Sequence, residues 1–400
     1  MKKTALLLLC GAFILGACQK IEIREDHSED EALTGVLVNI PNPSTTSRKL
    51  FVLNEGSMGS NNSTLDFLRL REGEYITGAF KKMNPSVGTG LGDVGNDIAV
   101  IDNEVWIVVN NSGIVEVISA KDEKEIKAIS IPTPRFIAYD SKYVYVTSYA
   151  GAFITYDGWT VVDSSNPKGQ VYRINRETKQ VEGNVEVGYQ PEGIAYYNGN
   201  LYVANSGGLS SQLPPYYSYD NTISIIDAAS FTVSKTVEVQ INLKNVYSDG
   251  TGNIYVTTLG NYWDVPSGLY MIKASAPGSP VHVSDHVTAS AVYEGTLYFI
   301  GTENEFDYSA DHVYSAWVAK DGNLQPLSLS LNHAYPYSME VLDGNTIFVG
   351  ELAVNSYTDE NGDQKWSTDY FNPGVLTCYV RGNKFWSVQA GVCPGHFAIY

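Results

Sequence analysis

QPEGIAYYNGNLYVANSGG (residues 190–208), resumed after a loop as NTISIIDAASFTVSKTVEV (residues 221–239), reads as four short strands joined by turns. Apolar and polar residues alternate, β-branched and aromatic types dominate, and Asn198-Gly199 supplies a hairpin turn between the first two strands. Such a sheet cannot stand alone in water. The neighbouring chain must supply the apolar surface that covers it.

The second strand and its exit recur along the sequence. NLYVANSGG has counterparts in KLFVLNEGS from Lys49, EVWIVVNNS from Glu104, YVYVTSYAG from Tyr143, NIYVTTLGN from Asn253, TLYFIGTEN from Thr296 and TIFVGELAV from Thr346. The copies are spaced by roughly 40–60 residues, the size of one four-stranded propeller blade. A first strand precedes six of them: NDIAVID, RFIAYDS, EGIAYYN, KNVYSDG, SAVYEG and SMEVLDG. The copy at Lys49 has none before it. CPGHFAIY at residues 393–400 matches the missing strand, so the C-terminal strand is expected to pair with the N-terminal blade and close the ring. The sequence thus predicts an all-β, seven-bladed β-propeller of four-stranded blades over residues 47–400. No sustained 3.6-residue periodicity predicts a helix, and Lys121–Ile126 reads as a turn.

Residues 1–17 are expected to be an export signal: Lys2 and Lys3 precede an apolar run too short to span a bilayer. The run ends in Leu15-Gly16-Ala17-Cys18, which resembles the bacterial lipobox and implies lipidation of Cys18. Residues 18–46, charged and then rich in Pro, Asn, Ser and Thr, are expected to be a flexible tether. Their acids, beginning at Glu22, resemble the surface-export signal of Bacteroides-type lipoproteins. That implies an outer-membrane, lipid-anchored protein facing the cell exterior. The formal charge of −18, or −20 once Lys2 and Lys3 leave, argues against nucleic acid and polyanionic ligands. Cys378 and Cys393 remain; a hairpin turn at Arg381-Gly382-Asn383 would place Cys378 opposite Trp386, so both are expected as free thiols.

YVAN and YVTS after a turn, followed by a strand such as TISIID, are similar to the YVTN-type seven-bladed propellers, which include Bacteroides surface lipoproteins. Within that group the exported chain resembles the BtuG-type cobalamin-binding lipoproteins. This resemblance implies cobalamin or another corrinoid as a transported ligand rather than a cofactor, and a BtuB-type TonB-dependent outer-membrane transporter as partner.

The long insertions almost all follow a second strand, at residues 148–169, 205–220, 259–267, 302–311 and 352–373, so they are expected to project from one face. They carry Tyr149, Phe153, Tyr156, Trp159, Tyr216, Tyr217, Tyr219, Tyr262, Trp263, Phe306, Tyr308, Tyr357, Trp366, Tyr370 and Phe371. Such rings either pack the loops against the blade rims or form a recognition surface for a large, flat, mostly neutral ligand. Nearer the axis, Asn110, Arg135, Glu192, Asn205 and Glu351 are expected to ring the channel mouth with amide and charged partners, beside Glu55, Asp97, Lys244, Tyr337 and His396. Catalytic signatures are thin. There is no G-x-S-x-G, no Cys–His pairing and no phosphate loop; His282-x3-His286 lies off any helix, and Asp359–Asp363 lacks the acid and glycine positions of a calcium loop. No metal and no enzyme activity are expected. The alternatives on the same face are a propeller lyase or hydrolase using Glu303, Glu351 or His396, and a glycan-binding or adhesion module.

Overall fold

The computed structural model describes residues 35–42, 44–305, 312–331, 335–358, 362 and 364–400. The expected export signal, Cys18, most of the expected tether, Phe306, Tyr308 and His333 lie outside the described residues.

Seven antiparallel four-stranded units form a β-propeller. In blade 4 the strands Pro191–Tyr197, Asn200–Asn205, Thr222–Asp227 and Thr232–Glu238 follow one another from the axis outward. Blades 2, 3, 5, 6 and 7 repeat the order with inner strands Gly95–Ile101, Pro134–Tyr139, Leu243–Ser248, Ala289–Tyr293 and Pro336–Val341. Blade 1 takes its inner strand, Pro394–Ile399, from the far end of the chain. Leu50 pairs with Ile399 and Leu53 with His396, and Lys49 and Tyr400 exchange backbone hydrogen bonds of 3.0 and 2.8 Å. The expected ring closure is therefore present.

Blade 1 departs from expectation at its rim. Leu37–Asn39, inside the expected tether, pairs with Glu74–Ile76 as a fifth strand, with Leu37 opposite Ile76. A short helix, Ala79–Met83, follows that outer strand and buries Ala79 and Phe80. Among the described residues no helix is long and apolar enough to cross a membrane.

The apolar core is split into layers, one between each pair of neighbouring blades. This explains the strand compositions. Second strands such as Lys49–Asn54 are covered on both sides and read as continuous apolar runs. Outer strands such as Val181–Glu186 are half solvated and read as alternation. The repeat carries one ring per blade at a fixed register: Phe51, Trp106, Tyr145, Tyr202, Tyr255, Tyr298 and Phe348 stand opposite Phe67, Val117, Arg173, Ile225, Met271, Val318 and Cys378 of the third strands. Only blade 3 puts a charge at that place. Cys378 also faces Trp386, as expected, and both described cysteines are buried and unpaired.

Connections between first and second strands are tight. At Asn198 and Gly199 φ is +46° and +80°, the left-handed pair that a two-residue hairpin turn of matching twist requires. The long connections leave from the opposite end of the second strands. Two of them are hairpins: Phe153–Asp157 with Thr160–Ser165 in blade 3, and Ala353–Thr358 with Gln364–Asp369 in blade 7.

Candidate functional site

Two layers make up the insertion face, an outer set of loops and a charged cluster at the mouth of the axis. The loops of blades 3 and 4 are joined to each other. Ala152 and Ile154 of the blade 3 hairpin pack on Leu209, with Tyr149, Tyr156, Val161 and Leu213 around them. The Tyr156 hydroxyl donates to Gln212 Oε1 at 2.8 Å, and Asn166 Nδ2 donates to Ser210 Oγ at 3.0 Å. Gly207 has φ of +61°, and a Cβ there would lie 2.1 Å from the Asp220 amide nitrogen, so the base of the blade 4 loop admits only glycine. In blade 7, Asp369 accepts from Asn355, Asn372 and the Phe371 amide and so fixes the exit of the hairpin.

This packing sorts the expected ligand-binding rings. Trp159, Tyr216, Tyr217 and Trp263 stand out of the loops with 74, 60, 66 and 56 % of their surface exposed. Tyr357 and Phe371 join them at 50 and 76 %, and among the side chains whose burial is described no other aromatic one is at least half exposed. All six leave loops that follow second strands. Tyr149, Tyr156 and Tyr370 instead pack the loops from beneath, Tyr370 against Tyr337, Leu352 and Cys393. Tyr219 is half-buried, and Trp366 stands opposite Ser356 in the blade 7 hairpin.

At the axis, the first strands bring charges from several blades together. Arg135 of blade 3 makes a forked pair with Glu192 of blade 4, with Nη2 donating to Oε2 at 2.8 Å and Nε to the same oxygen at 3.1 Å. The Tyr149 hydroxyl donates to the other Glu192 oxygen, and the guanidinium lies 4.9 Å from the Tyr149 ring centre. Burial opposes the charge on Arg135, but the Glu192 carboxylate outweighs it and holds the guanidinium more firmly protonated than usual. A second group surrounds His396. Its Nε2 is 3.1 Å from Glu55 Oε1 and its Nδ1 is 3.8 Å from Asp97 Oδ1. Tyr337 donates to Glu55 Oε2 at 2.8 Å, and the Ile137 amide donates to Asp97 Oδ2 at 2.8 Å. Burial works to raise the Glu55 pKa, yet His396, Lys244 and Tyr337 together bring it below the usual value. Asp97 goes the other way, because burial prevails over His396 and its two amide donors. Burial, helped by the neighbouring carboxylates, raises the hydroxyls of Tyr149 and Tyr337 well above the tyrosine range.

The remaining expected mouth residues do other work. Asn110 Nδ2 donates to the Pro134 carbonyl at 2.8 Å, tying blade 2 to blade 3. Asn205 is fully buried; it donates to Thr222 and Ser224 and accepts from the Gly188 amide. Glu351 is half-buried, its Oε1 lacks a partner, and burial raises its pKa. Glu303 is exposed. Among the described residues no group of three or more His, Cys, Asp or Glu could hold a metal ion.

No family model matches the chain, and no curated protein is similar enough to match. Among solved structures, Kuenenia stuttgartiensis hydrazine synthase superposes with a TM-score of 0.53 at 15 % identity, over 76 % of this chain and 88 % of that one. The computationally designed Ika8 protein aligns over 75 % of this chain and 89 % of its own at 10 % identity, with a TM-score of 0.45 too low to add to the comparison. At such identities the likeness establishes a shared propeller fold and nothing about activity.

Proposed function

We propose that the chain is a non-catalytic capture protein that binds cobalamin or a related corrinoid across the insertion face. In this reading it is anchored in the outer membrane through lipid on Cys18, faces the exterior and passes the ligand to a BtuB-type TonB-dependent transporter. The observation that carries the binding role is that the six most exposed of the described rings all belong to loops on the same face. Exposed aromatic side chains cost solvation and are retained where a partner covers them. A corrinoid offers a broad ring and a rim of amides, which suits stacking rings set among Asn and Ser side chains. The choice of corrinoid over another flat neutral ligand rests on the resemblance to the BtuG-type lipoproteins.

At the axis Arg135 is paired with Glu192, and Glu55 with His396 and Tyr337. Calorimetric titration of the chain with cyanocobalamin tests the proposal. Binding below micromolar concentration is expected, and Trp159→Ala or Phe371→Ala should each weaken it by about tenfold or more, roughly 1.4 kcal/mol. Absence of binding at micromolar protein ends the corrinoid reading. Retention on polysaccharide gels in the same experiment would transfer the face to a glycan.

A further inference from the structure

On the opposite face, between blades 3 and 4, lies a cleft of about 540 Å³. Its wall includes Asp140, Lys142, Arg173, Tyr196, Asn200 and Asp227. Arg173 is its unusual member. At the equivalent register the six other blades carry Phe67, Val117, Ile225, Met271, Val318 and Cys378, all apolar. Packing alone would select another such residue. Blade 3 instead has a half-buried guanidinium held between the rings of Tyr143 and Phe231, each centred 4.6 Å away.

That guanidinium has no acceptor. Its Nε is buried without a hydrogen-bond partner, and no carboxylate lies within ion-pair distance of Arg173 among the described residues. The other half-buried arginines do have acceptors: Arg69 meets Glu74, Arg135 meets Glu192, and Arg176 meets Asp102 and the Asp140 carbonyl. In a chain with 44 acidic against 26 basic residues, a half-buried arginine with no carboxylate partner is the exception. Both Asp140 oxygens are already occupied, by the amides of Lys142 and Tyr143 and by the Tyr145 hydroxyl. A buried N–H left without an acceptor costs stability, so an acceptor from outside that meets Nε is the natural complement.

We propose that this cleft binds a carboxylate on a hydroxylated scaffold, a sugar acid of the uronic type, with Arg173 as the carboxylate receptor. A planar carboxylate matches the two-donor fork of arginine. A phosphate dianion is disfavoured, because Asp140 and Asp227 stand in the same wall. Asp227 bonds Ser230 through Oδ1 alone, so its second oxygen and the Asn200 amide can meet hydroxyl groups, and the Tyr196 ring offers a flat surface for a sugar face. The volume lies within the range of small-molecule sites. This site is independent of the corrinoid reading and lies across the ring from it.

Ligand-observed NMR titration of the chain with D-glucuronate, D-glucose and inorganic phosphate decides the matter. Glucuronate should bind with a Kd on the order of 1 mM, at least about tenfold tighter than glucose or phosphate. Arg173→Met, the residue of blade 5, should abolish this binding, leave the melting temperature unchanged or higher, and leave the cyanocobalamin titration as it was. Arg173→Lys keeps the charge between the rings but loses the fork, and should weaken glucuronate by about threefold or more. Equal binding of glucose and glucuronate, no binding of glucuronate at about 20 mM, or unchanged binding by either variant would overturn the proposal.

Discussion

The forked pair between Arg135 and Glu192 can be tested for what it contributes to the ring. The two side chains are only 13 % and 8 % exposed, and each is the other's main compensation for burial. Glu192→Ala would leave the guanidinium beside the Tyr149 ring with no carboxylate, and would strip the Tyr149 hydroxyl of its acceptor. Breaking a buried pair from one side costs about 3–5 kcal/mol, most of it from the stranded charge. Over a propeller of ~350 residues, at roughly 2.1 cal/mol/K per residue, that loss lowers the melting temperature by about 4–7 °C. Arg135→Met should cost about as much, since it strands Glu192 instead. The double variant Arg135→Met/Glu192→Leu strands nothing and should be more stable than either single one. Thermal unfolding followed by circular dichroism and by tryptophan fluorescence supplies the measurement, provided the two probes coincide. A loss below about 1 kcal/mol for Glu192→Ala would mean that water reaches the pair. A double variant whose loss equals the sum of the singles would refute the coupling itself.

Stability should fall as pH rises between about 5 and 8. Burial pushes Glu340 from its ordinary 4.5 up to about 7, and burial with Glu125 nearby pushes Glu116 up to about 8. Below the unfolded value both states hold the protons. Above it the unfolded chain releases them first, so the folded state loses ground until the folded carboxyls also ionise, at about 1.4 kcal/mol per tenfold difference in proton affinity. Denaturant titrations of Glu340→Gln should show a flatter profile and higher stability at the alkaline end; a profile as steep as the parent's would contradict this. Removal of residues 394–400 deprives blade 1 of its inner strand and should yield insoluble chain, whereas folded, monomeric protein would show that closure is dispensable. Burial pushes the Cys378 thiol up to about 12 and raises that of Cys393 further. In the chain beginning at Gln19, neither thiol should react with a disulfide reagent at neutral pH until denaturant is added, and fast labelling of the native protein would refute their burial.

Blade count, strand order and ring closure were legible because they rest on a repeated pattern, and repetition averages out local ambiguity. The face that carries the insertions was legible for a related reason, since a blade's connections alternate between its two ends. The use of each loop ring was not. Trp159 and Tyr156 stand three residues apart in one hairpin, yet one is exposed and the other is bonded to Gln212. Which ring faces outward depends on how the hairpin leans on the blade 4 loop, a tertiary contact with no local signature. The strand at Leu37–Asn39 was missed because three residues between polar neighbours carry too little pattern.

The mouth residues show how a repeat should be read for function. Asn205 seemed apt as a ligand amide by position, but Asn54 occupies the same place in blade 1 and makes the same kind of bonds. Asn54 reaches Thr64 and Asp66, Asn205 reaches Thr222 and Ser224, and each pair stands at matching positions of the third strand. A polar residue that recurs at one register meets a need that recurs, and that need belongs to the blade. Arg135 shares its register with Glu192 and Lys244, charges of both signs, and bonds Glu192 across the blade boundary, while His396 bonds Glu55. Arg173 has no charged counterpart at its register, and the rings of Tyr143 and Phe231 hold it without a hydrogen-bond acceptor for its Nε. In a seven-fold pattern the other copies act as built-in controls: a singular charge cannot be explained by what every blade requires. Where such a charge is paired, as Arg135 is with Glu192, it joins neighbouring blades; Arg173 is held by two rings instead, which leaves its fork for the carboxylate proposed above.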